Sequence, residues 1–327
     1  MRRVAIVSAL LILVLALGIL LWAAARFKAP GPPARHGHQS IVLIRPGTGG
    51  AGIARILKAA GVITSPTLFE LEVRLRGQGA ELKAGEYAIP SRASMAKIAA
   101  ILISGKVVEH KLTIPEGFTS QMAFNVVKAN KVLVGKAGAV PPEGSLLPDT
   151  YLFTRGTTRA QILARMHRAQ LRFLAKVWPK RAPGLPLKTA AQAVILASIV
   201  EKETALPRER PHVAAVFENR LRLGMKLQSD PTIIYGITKG YPLGHSILES
   251  ELSAATAYNT YIINGLPPTP ICNPGRASIL AVLHPLKSKD LYFVADGKGG
   301  HVFAATIAQQ DKNVARWRQI QKAEKQR

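Results

Sequence analysis

The sequence has one cysteine, Cys272, in 327 residues. No intramolecular disulfide can form, so the fold must stand on its core. A small buried apolar side chain is the expected role for Cys272, with a reactive thiol as the alternative. Acidic residues are scarce as well: 19 Asp and Glu face 44 Lys and Arg, a formal net charge of +25. Such a surface favours polyanionic surroundings, whether nucleic acid, anionic lipid headgroups or an acidic polymer. Several chemistries lack their signatures. The glycine-rich Gly297-Lys298-Gly299-Gly300-His301 has neither Walker spacing nor the Lys-Ser/Thr that follows it. The eight histidines show no metal-ligand spacing with cysteines or carboxylates. No Gly-x-Ser-x-Gly nucleophile elbow occurs, and no nucleic-acid-binding motif. No metal and no cofactor are therefore expected.

Hydrophobic residues make up 48% of the chain, enough for a real core, and the length predicts two or three domains. Residues 4–25 are apolar and uncharged, with Ser8 as the one small polar interruption. About 20 such residues span a bilayer's hydrocarbon core. A signal peptide is the competing reading, but its apolar region would be about 7–15 residues long before a small-residue cleavage site; Ala23-Ala24-Ala25 is the only tempting one. An uncleaved anchor is expected. Arg2 and Arg3 precede the span, and Arg26, Lys28 and Arg35 follow it, so the positive-inside rule is nearly balanced. An anchor with its body outside the cytoplasm argues against nucleic acid as the partner.

Residues 29–39 are rich in Pro and Gly and predict a short, stiff linker. Beyond them, strands are expected at 41–44 and 83–90, and helices at 51–60, 65–76 and 94–104, making a small α+β module over 40–106. A larger α+β domain follows over 107–327. It opens with a strand at 107–114 and a helix from Thr119 or Ser120 to Lys128. Residues 141–151 read as loop. A long basic amphipathic helix spans 158–177, its cations a solvated face or a binding stripe. Later come a helix around 216–221, an extended polar stretch at 227–232 and a strand at 291–296.

The helix at 189–204 is the most informative. It is apolar nearly all round, which predicts burial, then runs into Glu201-Lys202-Glu203-Thr204, with Pro207 barring continuation. Carboxylates in the last turn sit at the negative end of the helix dipole. Desolvation acts in the same direction, so a raised pKa is expected. A carboxyl that stays protonated near neutrality suits general acid catalysis on a glycosidic oxygen. Glu201 and Glu203 are two apart and cannot share one groove. Glu201 continues the Ala197/Ser198 line and is taken as the acid; Glu203 is expected on the opposite side, paired with Arg208 or Lys202. Ordinary helix-end charges are the blander reading of both. Asp230 is expected to accept a hydrogen bond or to cap a turn. Tyr258, Asn259 and Tyr261 set rings beside amides, as sugar sites do.

Here the sequence resembles the endolytic murein transglycosylases, the MltG or YceG-like family. The resemblance rests on Ile114-Pro115-Glu116-Gly117, Glu143-Gly144 with Pro148-Asp149-Thr150-Tyr151, Ala197-Ser198-Ile199-Val200-Glu201-Lys202-Glu203-Thr204, Phe217-Glu218-Asn219-Arg220-Leu221, Leu227-Gln228-Ser229-Asp230-Pro231-Thr232, Tyr258-Asn259-Thr260-Tyr261 with Gly265-Leu266-Pro267-Pro268, and residues 292–303. It covers roughly residues 41–318. Leu146-Leu147 before Pro148, and Ile271-Cys272, depart from the family pattern at positions that line its groove.

The resemblance implies a transmembrane anchor (residues 1–28), a linker (29–39), a LysM-like module (40–106) and a catalytic domain (107–327). It implies a single-pass inner-membrane protein with its body in the periplasm. It implies endolytic cleavage of the β-1,4 bond between N-acetylmuramic acid and N-acetylglucosamine in nascent peptidoglycan strands. The cut would leave a 1,6-anhydro-muramic end and stop strand elongation. Glu201 is then the catalytic acid and base, with Asp230, Tyr258, Asn259, Tyr261 and Glu143 as candidate substrate-binding residues. Peptidoglycan is the expected partner, and a peptidoglycan synthase a candidate one. The alternative is a non-catalytic, membrane-tethered peptidoglycan-binding scaffold.

Overall fold

The computed structural model describes residues 2–325. It is a mixed α+β protein whose strands form three two-stranded sheets. The chain divides into two compact units. One runs through His110 and takes in Leu152–Gly156; the other holds Lys111–Tyr151 and continues from Thr157.

The first unit opens with α1 (Arg2–Lys28), in which Ile6–Lys28 is long and apolar enough to cross a membrane, with a mean hydropathy of 2.9. Its large apolar side chains from Ile6 to Trp22 are exposed, as suits a helix whose solvent is lipid. The end of the helix differs. Phe27 is 2% exposed and belongs to the unit's core with Val42, Leu57, Phe69 and Ile98. Its ring lies 6.3 Å from that of Phe69, with the Arg76 guanidinium 5.1 Å from its centroid. The Pro-Gly stretch after α1 is laced to the same unit. Gly31 N–H donates to the Arg92 carbonyl at 3.1 Å, Arg92 N–H to that of Pro32 at 3.1 Å, and Ala34 N–H to the Ser91 hydroxyl at 3.0 Å. Gly31 is required there, because a Cβ would fall 2.2 Å from the Ala93 carbonyl oxygen.

Strand β1 (Gln39–Ile44) runs antiparallel to β2 (Gly85–Pro90), with Gln39 opposite Pro90 and Ile44 opposite Gly85. Alternation decides the register: Val42 and Ile44 are buried, Ile41 and Leu43 exposed. Helices α2 (Gly50–Ala59), α3 (Pro66–Leu75) and α4 (Met95–Ser104) cover the hairpin. Ser65 caps α3 by accepting from Leu68 N–H, and Ser94 caps α4 by accepting from Lys97 N–H, both at 3.2 Å. Gly105, at φ 69°, ends α4.

Strands β3 (Glu109–Thr113) and β4 (Thr150–Thr154) pair with each other, and the boundary between units falls inside both. The second unit contains α5 (Ser120–Ala129), α6 (Arg159–Val177), α7 (Ala190–Glu203), α8 (Arg210–Arg222), α9 (Asp230–Thr238), α10 (Glu249–Leu252), α11 (Arg276–Leu283), strands β5 (Tyr292–Ala295) and β6 (His301–Ala304), and α12 (Ile307–Lys325). Its core is α7 packed between α8 and α11, with Leu196, Ile199, Val200, Val213, Phe217, Ile279 and Val282 all at 0% exposure. The lone cysteine, Cys272, is free and buried. Residues 227–232 are not simply extended, because Asp230 starts α9 with Pro231 in its first turn.

Candidate active site

Successive residues on a helix point about 100° apart, and the last turn of α7 uses this to send three consecutive side chains three ways. Glu201 turns toward α8 and α11. Its Oε2 accepts from Gly275 N–H at 2.9 Å, and its Oε1 lies 3.3 Å from Arg210 Nη2. Arg210 also lies 3.7 Å from Glu116. Burial, then the charge of Glu201, pushes the Glu116 carboxyl up; Arg210 and Arg276 oppose the shift. Both oxygens of Glu201 are thus held by the protein, which the helix-end argument from sequence did not foresee. Lys202 turns the other way, to an exposed position on the wall of a cavity of about 260 Å³.

Glu203 takes the third direction. The expected pairing with Arg208 or Lys202 is corrected: its Oε1 accepts from the Ser229 hydroxyl, and it lines a cavity of about 190 Å³ with Arg220, Leu227, Gln228, Asp230, Tyr261 and Phe293. Burial pushes the Glu203 carboxyl up to about 7; the Ser229 hydrogen bond opposes this, the charge of Asp230 adds to it, and Arg220 opposes it. Tyr261 donates its hydroxyl to Asp230 Oδ1 at 2.6 Å. Burial, and then that bond, raises the Tyr261 phenol.

Arg220 frames the cavity. Its Nε donates to the Leu291 carbonyl at 2.7 Å, and its Nη1 to the Leu227 carbonyl at 2.7 Å and Gln228 Oε1 at 3.2 Å. Gln228 sits at φ 53°, a left-handed conformation costly for a side-chain-bearing residue. It is held there by Arg220 and by its own N–H donating to the Thr260 carbonyl at 3.1 Å.

A raised carboxyl alone does not identify the site. Glu218 is also pushed up to about 7, by burial opposed by Arg222. Its side chain is 0% exposed and bonded to Arg222 at 3.1 Å, so no substrate reaches it. Glu203 differs in opening on a cavity.

The residues expected from sequence are not all in one place. Asp230 and Tyr261 line the Glu203 cavity. Tyr258 bonds Thr269 Oγ1 at 2.8 Å and packs edge-on against Tyr235, 4.8 Å between centroids, away from that lining. Asn259 is 0% exposed, its amide nitrogen donates to the carbonyls of Leu252 and Ala254 at 2.9 and 2.8 Å, and its oxygen accepts from Tyr261 N–H. No hydrogen remains for a sugar. Glu143 is likewise engaged within the protein. It accepts from Ser120 N–H at 2.7 Å, Tyr235 Oη at 3.1 Å and Asn273 Nδ2 at 3.4 Å, knitting the start of α5 to the loop before α11. Among the described residues no group of three or more His, Cys, Asp or Glu could hold a metal ion.

The YceG-like family profile matches residues 42–316. A Bacillus subtilis (strain 168) protein named endolytic murein transglycosylase is 28% identical over 297 residues, covering 81% of this chain and 81% of that one. A Streptococcus pneumoniae serotype 2 protein of the same name is 28% identical over 312 residues, covering 80% of this chain and 55% of the relative. A YceG-like protein of Listeria monocytogenes, solved at 2.6 Å, aligns with a TM-score of 0.52 at 30% identity, covering 85% of this chain and 99% of that one.

Proposed function

The chain belongs to the YceG-like family, and on that premise we propose that it is a lytic transglycosylase of peptidoglycan in which a glutamate in the last turn of α7 carries the proton: Glu201 is the one the resemblance implies, and Glu203 the one its cavity favours. The names of the curated relatives support the reaction class. The observation that favours Glu203 is its opening on a cavity beside Asp230 and Tyr261, where burial pushes the carboxyl up to about 7. A general acid works best with a pKa near the working pH.

Glu203 gives its proton to the oxygen joining muramic acid C1 to the next N-acetylglucosamine. As the C1–O bond breaks, the carboxylate takes the proton of the muramic 6-hydroxyl, whose oxygen bonds C1. One bond breaks, one forms, Glu203 recovers its proton and no water is consumed. The intramolecular attack supplies by proximity what a bound water would otherwise supply. The Ser229 hydroxyl occupies Oε1, which leaves Oε2 to exchange the proton. Paired-carboxylate hydrolysis needs a second carboxylate about 5–9.5 Å away to act on water or sugar. Asp230, tied to Tyr261, is the group that would do this, and it would yield reducing ends instead of anhydro ends. In that reading Glu201 is a positioning residue, holding the start of α11 to α7 through Gly275 and the start of α8 through Arg210.

The finer reading takes residues 1–28 as a single-pass inner-membrane anchor with the body in the periplasm, 40–106 as a LysM-like glycan-binding module and 107–327 as the catalytic domain. The apolar α1 supports the anchor. Endolytic cuts in nascent strands beside a synthase would end their elongation. Incubating the full-length protein with purified glycan strands tests the reaction, with product ends read by mass spectrometry. Anhydro ends from the wild type, none from Glu203→Gln and residual activity in Glu201→Gln are expected. Unchanged strands from the wild type would mean a binding scaffold, and reducing ends a hydrolase.

A further inference from the structure

The glycine-rich turn at 296–300 has no part in the reaction above. It joins β5 to β6 and closes on itself. Asp296 Oδ1 accepts from Lys298 N–H at 2.7 Å and from Gly300 N–H at 2.9 Å, and Asp296 N–H donates to the Gly300 carbonyl at 2.8 Å. The bonds to Oδ1 hold the Asp296 carboxyl below the usual carboxylate range, so it is ionised, and Oδ2 is left over. Gly297, at φ 75°, lets α12 come down on the turn; a Cβ there would fall 2.9 Å from Ile320 Cγ2 and 3.5 Å from Trp317 Cζ3. Between turn and helix lies a cavity of about 190 Å³. At about 30 Å³ for each water, it has room for one small ring and not for a folded chain.

Its walls carry polar groups without partners. The Asn313 amide, the Arg316 guanidinium, the Lys298 ammonium and the Trp317 indole N–H all line it, and their side chains make no hydrogen bond or ion pair among the described residues. Trp317 is half-buried, so packing against the turn fixes its ring. A ligand that fits must offer hydroxyls or amides to an ionised carboxylate, an amide and two cations, and an apolar face to an indole. An anion alone would meet the charge of Asp296. An apolar peptide would leave the polar groups unpaired. A pyranose meets both demands, because its hydroxyls donate and accept while the C–H bonds on its face pack on an aromatic ring.

We propose that this cavity is a second glycan-binding site, taking one sugar residue of the strand away from the bond that is cut, with Trp317 against the ring and Asp296, Asn313 and Arg316 bonded to its hydroxyl or acetamido groups. That the sugar belongs to peptidoglycan rests on the transglycosylase reading; the site does not depend on which glutamate of α7 carries the proton. An enzyme that cuts within a strand has polymer on both sides of the cut, and a contact made equally before and during reaction lowers KM without raising kcat.

The test uses full-length protein carrying Trp22→Phe and Trp178→Phe, which leaves Trp317 as its one tryptophan. Glycan strands freed of peptides by an amidase are titrated against its emission, and kcat and KM for anhydro-end formation are measured alongside. The emission should change saturably with strand concentration. Asn313→Ala and Arg316→Gln, at a half-buried and an exposed position, should each weaken this binding and raise KM by about threefold to tenfold, as the loss of one hydrogen bond does, with kcat kept. Trp317→Leu should raise KM more than Trp317→Phe, which keeps an aromatic face; circular dichroism checks that each variant folds. An emission that strands leave unchanged, variants at 313 and 316 that bind and cut as their parent does, or a fall in kcat at unchanged KM overturns the site, while anhydro ends from the parent leave the transglycosylase reading standing. If Trp317 responds to strands and no anhydro ends form, the site stands and it is that reading which fails.

Discussion

Replacing Glu203 with Gln removes the ionisable group from the cavity but keeps its size and an oxygen to accept from Ser229. Its effect on stability follows from the carboxyl's environment. The folded pKa is about 7 against an ordinary 4.5, and burial is the largest cause. Each unit is worth about 1.4 kcal/mol, so ionising this group in the folded protein costs about 3 kcal/mol, nearer 2 once solvent entering through the cavity is allowed for. A raised pKa contributes stability that is fully present below pH 4.5 and is lost as pH rises through 7. The Gln variant has nothing to lose over that window. Urea unfolding followed by the fluorescence of Trp178 and Trp317 at pH 4.5 and pH 8 reads the difference. The variant should match the wild type at pH 4.5 and be about 2–3 kcal/mol more stable at pH 8, while losing anhydro-end formation. A pH-independent difference, or a variant less stable at pH 8, would refute the assignment of a buried, proton-holding carboxyl. The gain is the usual stability cost of an active site, recovered by giving up function.

Because the acid form of Glu203 is needed first, kcat/KM should fall above about pH 7. Ser229→Ala removes the hydrogen bond that holds the carboxyl down, so its alkaline limb should move to higher pH; a shift to lower pH contradicts the hydrogen-bond geometry. Glu218→Gln should raise stability by about 1–2 kcal/mol at pH 8, because it removes a buried charge with one unbonded oxygen. Anhydro-end formation should be unchanged, and a loss of activity would point to a role for Glu218 that its burial denies. Glu201→Gln removes the charge facing Arg210, whose side chain is 11% exposed, and leaves Glu116 at 3.7 Å as its carboxylate partner. It should cost about 1–3 kcal/mol and lower kcat without abolishing it. A dead Glu201→Gln beside an active Glu203→Gln would exchange their roles.

The anchor and most helices of the first unit are legible in the sequence because each carries its own signal: an uncharged run at 4–25, Ser65 and Ser94 as caps, Gly105 as a stop. Helix α6 is legible for the same reason, since Thr158 and Gln161 form a capping box. The direction of Glu203 is not. Helix α7 is buried on every side, so its helical wheel assigns no face, and only the fold brings Ser229 to it. Helix α9 is hidden because Asp230-Pro231 reads as a turn and is also a good helix start. Helix α12 is mostly polar, with only Val314, Trp317 and Ile320 on its packed side, too sparse a stripe to betray it. Asn259 misleads because an amide between two tyrosines suggests a sugar site, yet it bonds backbone carbonyls five and seven residues before it.

Phe27 has a mechanical consequence. A membrane helix followed by loose chain would let the domain beyond it swivel. Here the last turn of the helix is part of the domain's core, and residues 31–34 are tied to it as well. The exposed apolar stretch from Ile6 to Trp22 is about 25 Å long, against about 30 Å of hydrocarbon, and a change in bilayer thickness alters a helix's tilt. Were the helix to span a bilayer, its tilt would pass through Phe27 to the core of the first unit, and a change in membrane thickness would rotate that unit with the helix.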